Sequence, residues 1–432
     1  MTKPAGGFPD AEAANRRCGP GKGTGRWCAN AWGVPRFQPF TAVRYDAADG
    51  RLDDVLAPPY DVITPADRER LVARSGHNAV RIELPAAEGG RGPYEVAADL
   101  WRTWQDEGVL VTDGEPSFYV YRMGYHDEAG RPRQTTGVLG ALELSTVGEG
   151  EVLPHEHTTP KARADRLDLL RATRANLSPI WLLSPAEGLS QLCEPVTPPD
   201  ARGTDDDGVH HRLWRVTQPA VVAGIAEAVA SAPAVIADGH HRYETALAYR
   251  DEQRAAGAGP GGHDAVLAWV VEAREDQLTV APTHRLVAGL PDGFDLVGAL
   301  ASFFDVEETE PAGADLVTRM EVAGALGLIT AAGTWLLRPT TATEAASEHA
   351  LDSSRLDVAL SSLPPHGLTY QHGVAEAVAE VVAGRAQGAA MLRPATVTQI
   401  AEVGRGAARM PPKTTFFTPK PRTGMVFRSV ES

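Results

Sequence analysis

The chain has 432 residues, 43% of them hydrophobic and 22% charged, with a formal net charge of −15. That length accommodates a large core in roughly two or three domains, and the acidic surplus, with no Lys/Arg-dense run, excludes a duplex binder with a basic face. Cys18, Cys28 and Cys193 are too few and scattered for a disulfide framework or a thiolate zinc site, and no apolar run approaches the ~18 residues that cross a bilayer.

Residues 1–36 are rich in Gly, Pro, Ala and charge and lack an apolar signal core. They read as a disordered extension or a product of start-site choice, and the expected location is the cytoplasm. Ordered sequence is expected from about Pro39. The prolines of Ala57-Pro58-Pro59-Tyr60-Asp61-Val62-Ile63 enforce an extended segment, and Thr64-Pro65 reads as an N-cap followed by the first helical residue. Tyr94 to Gln105 places Val96, Leu100, Trp101 and Trp104 at helical spacing and stops at Gly108. Ser117 to Met123 and Thr136 to Leu144 read as strands. Glu151 to Leu177 opens irregularly and continues as a helix rich in Arg and Asp. Ile180 to Leu183 reads as a short buried strand, Pro195 to Gly208 as a loop, His211 to Val216 as a strand and Val221 to Ala230 as a helix. Pro233 to Ala237 is a strand-like run halted by Asp238-Gly239, and a helical pattern resumes from Tyr243 to Arg250. Ala265 to Val271 and Leu278 to Val287 read as two further strands, and Pro291 to Ala389 as a smaller Ala/Val-rich α/β portion. There is no repeat of convincing period.

The predicted fold is mixed α/β (α+β) with an irregular, partly antiparallel sheet. Residues 37–290 are expected to form the catalytic domain and 291–432 a C-terminal α/β portion whose tail packs back on the body. No Gly-x-Gly-x-x-Gly unit marks a dinucleotide fold, and no P-loop is present.

The strongest chemical signal is Val235-Ile236-Ala237-Asp238-Gly239-His240-His241-Arg242-Tyr243. A buried strand passing through a glycine into a helix leaves backbone amides without intrahelical partners, which makes an anion site. Gly239 permits close approach, Arg242 supplies a fork for phosphate oxygens, and His240 and His241 donate or accept a proton. Asp238 either holds Mg²⁺ or caps the helix. Gly208-Val209-His210-His211-Arg212 repeats His-His-Arg but leads into a strand, so it is treated as a decoy.

The second signal is Leu153-Pro154-His155-Glu156-His157-Thr158, followed by Lys161, Arg163 and Arg166. Glu156 is placed to accept a hydroxyl proton during phosphoryl transfer, or the segment is a helix cap with solvated charges. His155 and His157 with no third ligand nearby are a weak metal site. His155, Thr158, Arg166, His284, Arg285 and Lys413 are secondary candidates for substrate contact. His284-Arg285 lies near the end of a strand, where it reaches the same cleft or is structural. Lys413 and Lys420 contact an anionic ligand or staple the tail, the staple being favoured. Asp61 is a turn residue or a site carboxylate.

Pro58-Pro59-Tyr60-Asp61-Val62-Ile63, Leu153-Pro154-His155-Glu156, Ala237 to Ala246 and the tail Met410 to Lys420 occur in the order found in the bacterial and archaeal family called domain of unknown function 1015 (DUF1015), which the chain resembles from about Gln38 onward. The Asp-Gly-His-His-Arg turn is also similar to the phosphate-binding turn of the ParB/sulfiredoxin superfamily, whose free serine kinases carry an upstream His-Glu pair. The interval between the two motifs is longer here than in those compact kinases. That resemblance implies a ParB/sulfiredoxin-like nucleotide-binding core, Glu156 as base toward a serine hydroxyl, and Asp238, His241 and Arg242 gripping Mg²⁺ and phosphate. The implied function is a small-molecule kinase phosphorylating free serine, or a related amino acid, from ADP or ATP. The alternatives are a nucleotide or phosphate-ester hydrolase with the same cradle, and a ParB-type nucleotide switch, against which the acidic charge argues. The expected partners are an amino acid and a nucleotide, with no nucleic acid and no membrane. Homo-oligomerisation stays open.

Overall fold

A strand buried on both faces must be apolar at consecutive positions rather than alternate ones. Ala234–Asp238 follows that rule: Val235 and Ala237 enter one core cluster, Ala234 and Ile236 the other. Ile180–Ser184 beside it behaves the same way, with Trp181 and Leu183 on one side and Ile180 and Leu182 on the other. In the computed structural model, which describes residues 35–47, 49–127, 130–146, 152–153, 160–313, 315–400 and 415–431, these strands lie in a nine-stranded sheet. Its order is Val152–Leu153, Ala234–Asp238, Ile180–Ser184, Ala265–Glu272, Pro132–Glu143, Phe118–His126, His210–Val216 and Ala201–Thr204, with Phe37–Gln38 paired to Pro132–Glu143. Ala234–Asp238 runs parallel to Val152–Leu153 and antiparallel to Ile180–Ser184, with a register shift between Ile236 and Asp238. The sheet is therefore mixed and irregular, as the sequence pattern predicts.

Helices Pro219–Val229 and His240–Ala255 contribute Ile225, Val229, Tyr243 and Ala246 to one core. The other core packs Trp181 against Trp269 in a tilted pair, with ring centroids 4.8 Å apart, and adds Tyr121 and Phe417. At ~1.5–3 kcal/mol for each large apolar side chain fully buried, these two layers stabilise the central strands from both faces.

A six-stranded antiparallel sheet follows in the order Phe304–Thr309, Gly333–Pro339, Leu326–Thr330, Gly388–Met391, His284–Ala288 and Gly367–Gln371. Both sheets fall within one unit, Gly33–Ser432. The run Leu278 to Val287 is thus not one strand. Val280–Pro282 pairs with Thr415–Phe417, and after Thr283 the chain enters the six-stranded sheet. The β-like composition on both sides of Pro282-Thr283 does not reveal the change of sheet. Pro195 to Gly208 also departs from the expected loop. Asp205 Oδ1 accepts the Asp207 and Val209 amides, Gly208 takes φ +73°, and the resulting tight turn lets Ala201–Thr204 pair with His210–Val216.

The paired prolines lead into a short turn at Tyr60–Val62. Thr64 then caps the Pro65–Arg74 helix in a capping box with Asp67, a motif worth about 1 kcal/mol. Beyond Lys420, Phe427–Ser429 pairs with Ala42–Tyr45 on one side and Ala175–Asn176 on the other. No helix among the described residues is long and apolar enough to cross a membrane.

Candidate functional site

Gly239 takes φ +95° between strand and helix, a backbone conformation that a side chain resists. No side chain caps the helix it opens, and the first intrahelical bond runs from the Tyr243 amide to the Gly239 carbonyl at 3.0 Å. Intrahelical bonding thus begins at the Tyr243 amide, and a 16-residue helix directs its positive dipole end at the same point.

Asp238 does not cap that helix. Its Oδ2 accepts from Arg242 Nη2 at 2.6 Å, and its Oδ1 accepts from Lys420 Nζ at 2.7 Å. The same ammonium donates to Asp61 Oδ2 at 2.7 Å. Tyr60-Asp61, the Gly239 turn and the C-terminal tail thus converge on one cluster of charges. Burial works to raise the Asp238 carboxyl, but Lys420 and then Arg242 outweigh it and hold the group well below the ordinary carboxylate range. Burial likewise works against the Lys420 ammonium, and Asp238 and Asp61 keep it charged with its pKa raised. Arg242 Nη1 donates to the Pro179 carbonyl, while its Nε is buried without a hydrogen-bond partner among the described residues.

The two histidines of the turn differ. His240 is buried, whereas His241 is half-buried. Burial lowers the His241 pKa further than Glu244 and Asp61 raise it, so the ring is neutral near pH 7.

Arg166 is buried, with its guanidinium 4.1 Å from the centroid of the Tyr60 ring. It donates to the Glu83 carbonyl at 2.7 Å and pairs with Asp165 at 2.6 Å. Arg166, Arg242, Glu83 and Ser178 line a cavity of about 50 Å³. Glu83 accepts from Ser178 Oγ at 2.9 Å, and burial raises its carboxyl despite the nearby guanidinium groups. Nothing local in the sequence marks Glu83 or Ser178 as neighbours of the turn; the Pro-Pro-Tyr-Asp motif was the signal for Tyr60.

His155, Glu156, Thr158 and Lys413 lie outside the described residues, as does the side chain of Lys161. His284 and Arg285 are buried in the His284–Ala288 strand. His284 Nδ1 accepts the Leu392 amide at 3.2 Å, and Arg285 stacks 4.6 Å from the Tyr370 ring centroid. These contacts lie within the six-stranded sheet and its flanks.

The other His-His-Arg, at His210-His211-Arg212, sits in a strand and does not open a helix. His211 is fully buried between Tyr121 Oη on Nδ1 at 2.8 Å and Asp205 Oδ2 on Nε2 at 2.9 Å. Arg422 ties Asp205 and Asp207 to the tail. Burial opposes ionisation of Asp205, but the bond from His211 and the charge of Arg422 bring its pKa to about 2. Lys420, Arg422, Asp205, Arg70 and Phe416 border a cleft of about 1440 Å³. Asp238 and Arg242 are not among its lining residues, so Lys420 stands between the Gly239 turn and this larger space.

The sequence matches the family described as "Protein of unknown function (DUF1015)" over residues 37–359. The chain belongs to the DUF1015 family. Solved structures similar to this DUF1015 chain include a free serine kinase in complex with AMP, at 14% identity and a TM-score of 0.33, covering 62% of this chain and 83% of that one. A conserved hypothetical protein from Pyrococcus furiosus is similar at 14% identity and 0.32, with 62% and 87% covered. SbnI with a C-terminal truncation, from Staphylococcus aureus, is similar at 12% and 0.36, with 66% and 84% covered. No curated protein matches the chain.

The Mg²⁺ site expected at Asp238 does not fit this arrangement. Both Asp238 oxygens already accept from cations, and the Lys420 ammonium stands between Asp238 and Asp61. Among the described residues, no group of three or more His, Cys, Asp or Glu comes together as a metal site.

Proposed function

We propose that this DUF1015 protein is a small-molecule phosphotransferase that binds ADP or ATP through its phosphates and phosphorylates the hydroxyl of free serine or a related amino acid. The observation that supports this reading is the uncapped start of the His240–Ala255 helix behind Gly239, with Arg242 and Lys420 beside it. Amides, helix dipole and guanidinium together favour a phosphoryl group and stabilise charge spread over its oxygens during transfer.

In this reading the acceptor hydroxyl oxygen bonds to the terminal phosphorus while that phosphorus loses its bridging oxygen to the departing nucleotide. The hydroxyl proton passes to Glu156. Gly239 and the amides of His240, His241 and Arg242 cradle the phosphate, and neutral His241 donates to one of its oxygens. Asp238 orients Arg242 and Lys420. His155, Thr158, Arg166 and Lys413 contact substrate, and no step runs through a magnesium ion on Asp238. The protein would work in the cytoplasm, where its nucleotide is supplied.

The test is to incubate the full chain with serine and ADP or ATP and follow phosphorus NMR. Phosphoserine in the wild type and its loss in Glu156→Gln, with nucleotide still bound, are expected. Free phosphate without phosphoserine would make the protein a hydrolase, and binding with no turnover a nucleotide switch.

A further inference from the structure

We propose that the Lys420 ammonium is the resident cation of the Asp61–Asp238 carboxylate pair, filling beside the phosphate turn the position that a divalent metal would otherwise take. This deepens the proposed function by naming the cation of its cradle, and the metal-binding test below does not depend on catalysis.

The geometry is that of an ammonium site. Nζ lies 2.7 Å from Asp61 Oδ2 and 2.7 Å from Asp238 Oδ1, the spacing of charge-assisted hydrogen bonds. A magnesium ion draws its oxygens to about 2.0–2.1 Å and requires near-octahedral surroundings. Arg242 already holds the second oxygen of Asp238, so a divalent ion entering beside Lys420 would meet two positive charges.

The lysine is also fixed in place. Before it, Thr415–Phe417 pairs with Val280–Pro282. After it, Arg422 is held by Asp205 and Asp207, and Thr423 exchanges backbone bonds with Ala57 at 2.9 and 3.1 Å. The side chain is only 8% exposed. A flexible surface lysine would lose too much rotamer freedom to serve as a fixed charge; here sheet pairing before it, and the Arg422 ion pairs and Ala57 bridge after it, hold the segment. An ammonium has three donors. Two are engaged by the carboxylates, which leaves one for a phosphoryl oxygen at the neighbouring turn. The tail thereby supplies the cation from within the chain.

The experiment is a titration of metal-free, nucleotide-free full-length protein with Mn²⁺, read by electron paramagnetic resonance. The wild type should leave Mn²⁺ free at this position. Lys420→Ala, with a wild-type circular dichroism spectrum, should gain one bound Mn²⁺ and lose it again when Asp238→Asn is added. Lys420→Met, which keeps the apolar stem, carries the same test if the alanine variant does not fold. One equivalent of Mn²⁺ on the wild type, removed by Asp238→Asn, would overturn the proposal. So would a folded Lys420 variant that takes up none. Absence of phosphoserine formation would count against the proposed function and leave this result unchanged.

Discussion

Lys420 Nζ lies 2.7 Å from Asp238 Oδ1, although 182 residues separate the two in the chain. The contact joins the C-terminal tail to the strand end immediately before Gly239. Removing either charge leaves its partner in a poorly solvated place.

Asp238→Asn is therefore expected to destabilise the protein by about 3 kcal/mol, because the amide leaves Lys420 and Arg242 short of a counter-charge in a largely buried setting. Urea unfolding measures the loss. Adding Lys420→Met should recover part of it, since the double variant no longer buries an unmatched ammonium.

Gly239→Ala tests the turn itself. A Cβ there would lie 3.0 Å from Ile180 Cγ2 and 3.1 Å from Arg242 Nη2, at φ +95°. The strain should cost about 1–2 kcal/mol of stability and displace Arg242. Nucleotide affinity should fall at least tenfold, a change calorimetry resolves.

Tyr121→Phe separates the second His-His-Arg from the first. Tyr121 Oη accepts the Arg422 amide at 3.1 Å and meets His211 Nδ1, so its loss leaves buried polar atoms without a partner. The expected cost is about 2 kcal/mol in unfolding free energy, with turnover by the folded fraction unchanged.

His284 gives the protein a pH signature. Burial lowers its pKa from 6.5 to about 4. Between those values the unfolded chain takes up a proton that the folded one refuses, so stability is complete above pH 6.5 and falls as the pH drops toward 4. The loss from this group is roughly 3 kcal/mol. Denaturation at pH 7.5 and 4.5 should show a steeper decline in the wild type than in His284→Gln.

The strand-turn-helix at Asp238-Gly239 was legible because each part is local: an unbroken apolar run, a glycine, then helical spacing. The capping signal at Thr64-Pro65 and the helix around Trp101 and Trp104 were legible for the same reason. The ion-pair cluster was not. Asp61 reads equally as a turn residue, and Lys420 as a staple, until folding brings them together across 359 residues. Glu83 sits in the four-residue helix Val80–Glu83, where the alternation of apolar and charged residues gives no sign that its carboxylate is buried. His284 and Arg285 read in sequence as either cleft or structural residues; in the fold their strand belongs to the six-stranded sheet, where they stack and hydrogen-bond.

The proposed grip of the Gly239 turn on phosphate is tested by a single comparison: isothermal titration of ADP into the wild type and into Arg242→Ala. Saturable binding by the wild type, weakened at least tenfold by the substitution, is the expected result, since a charge-assisted guanidinium contact contributes about 1.5–3 kcal/mol. Equal affinity in both proteins, or no binding by the wild type, would contradict it.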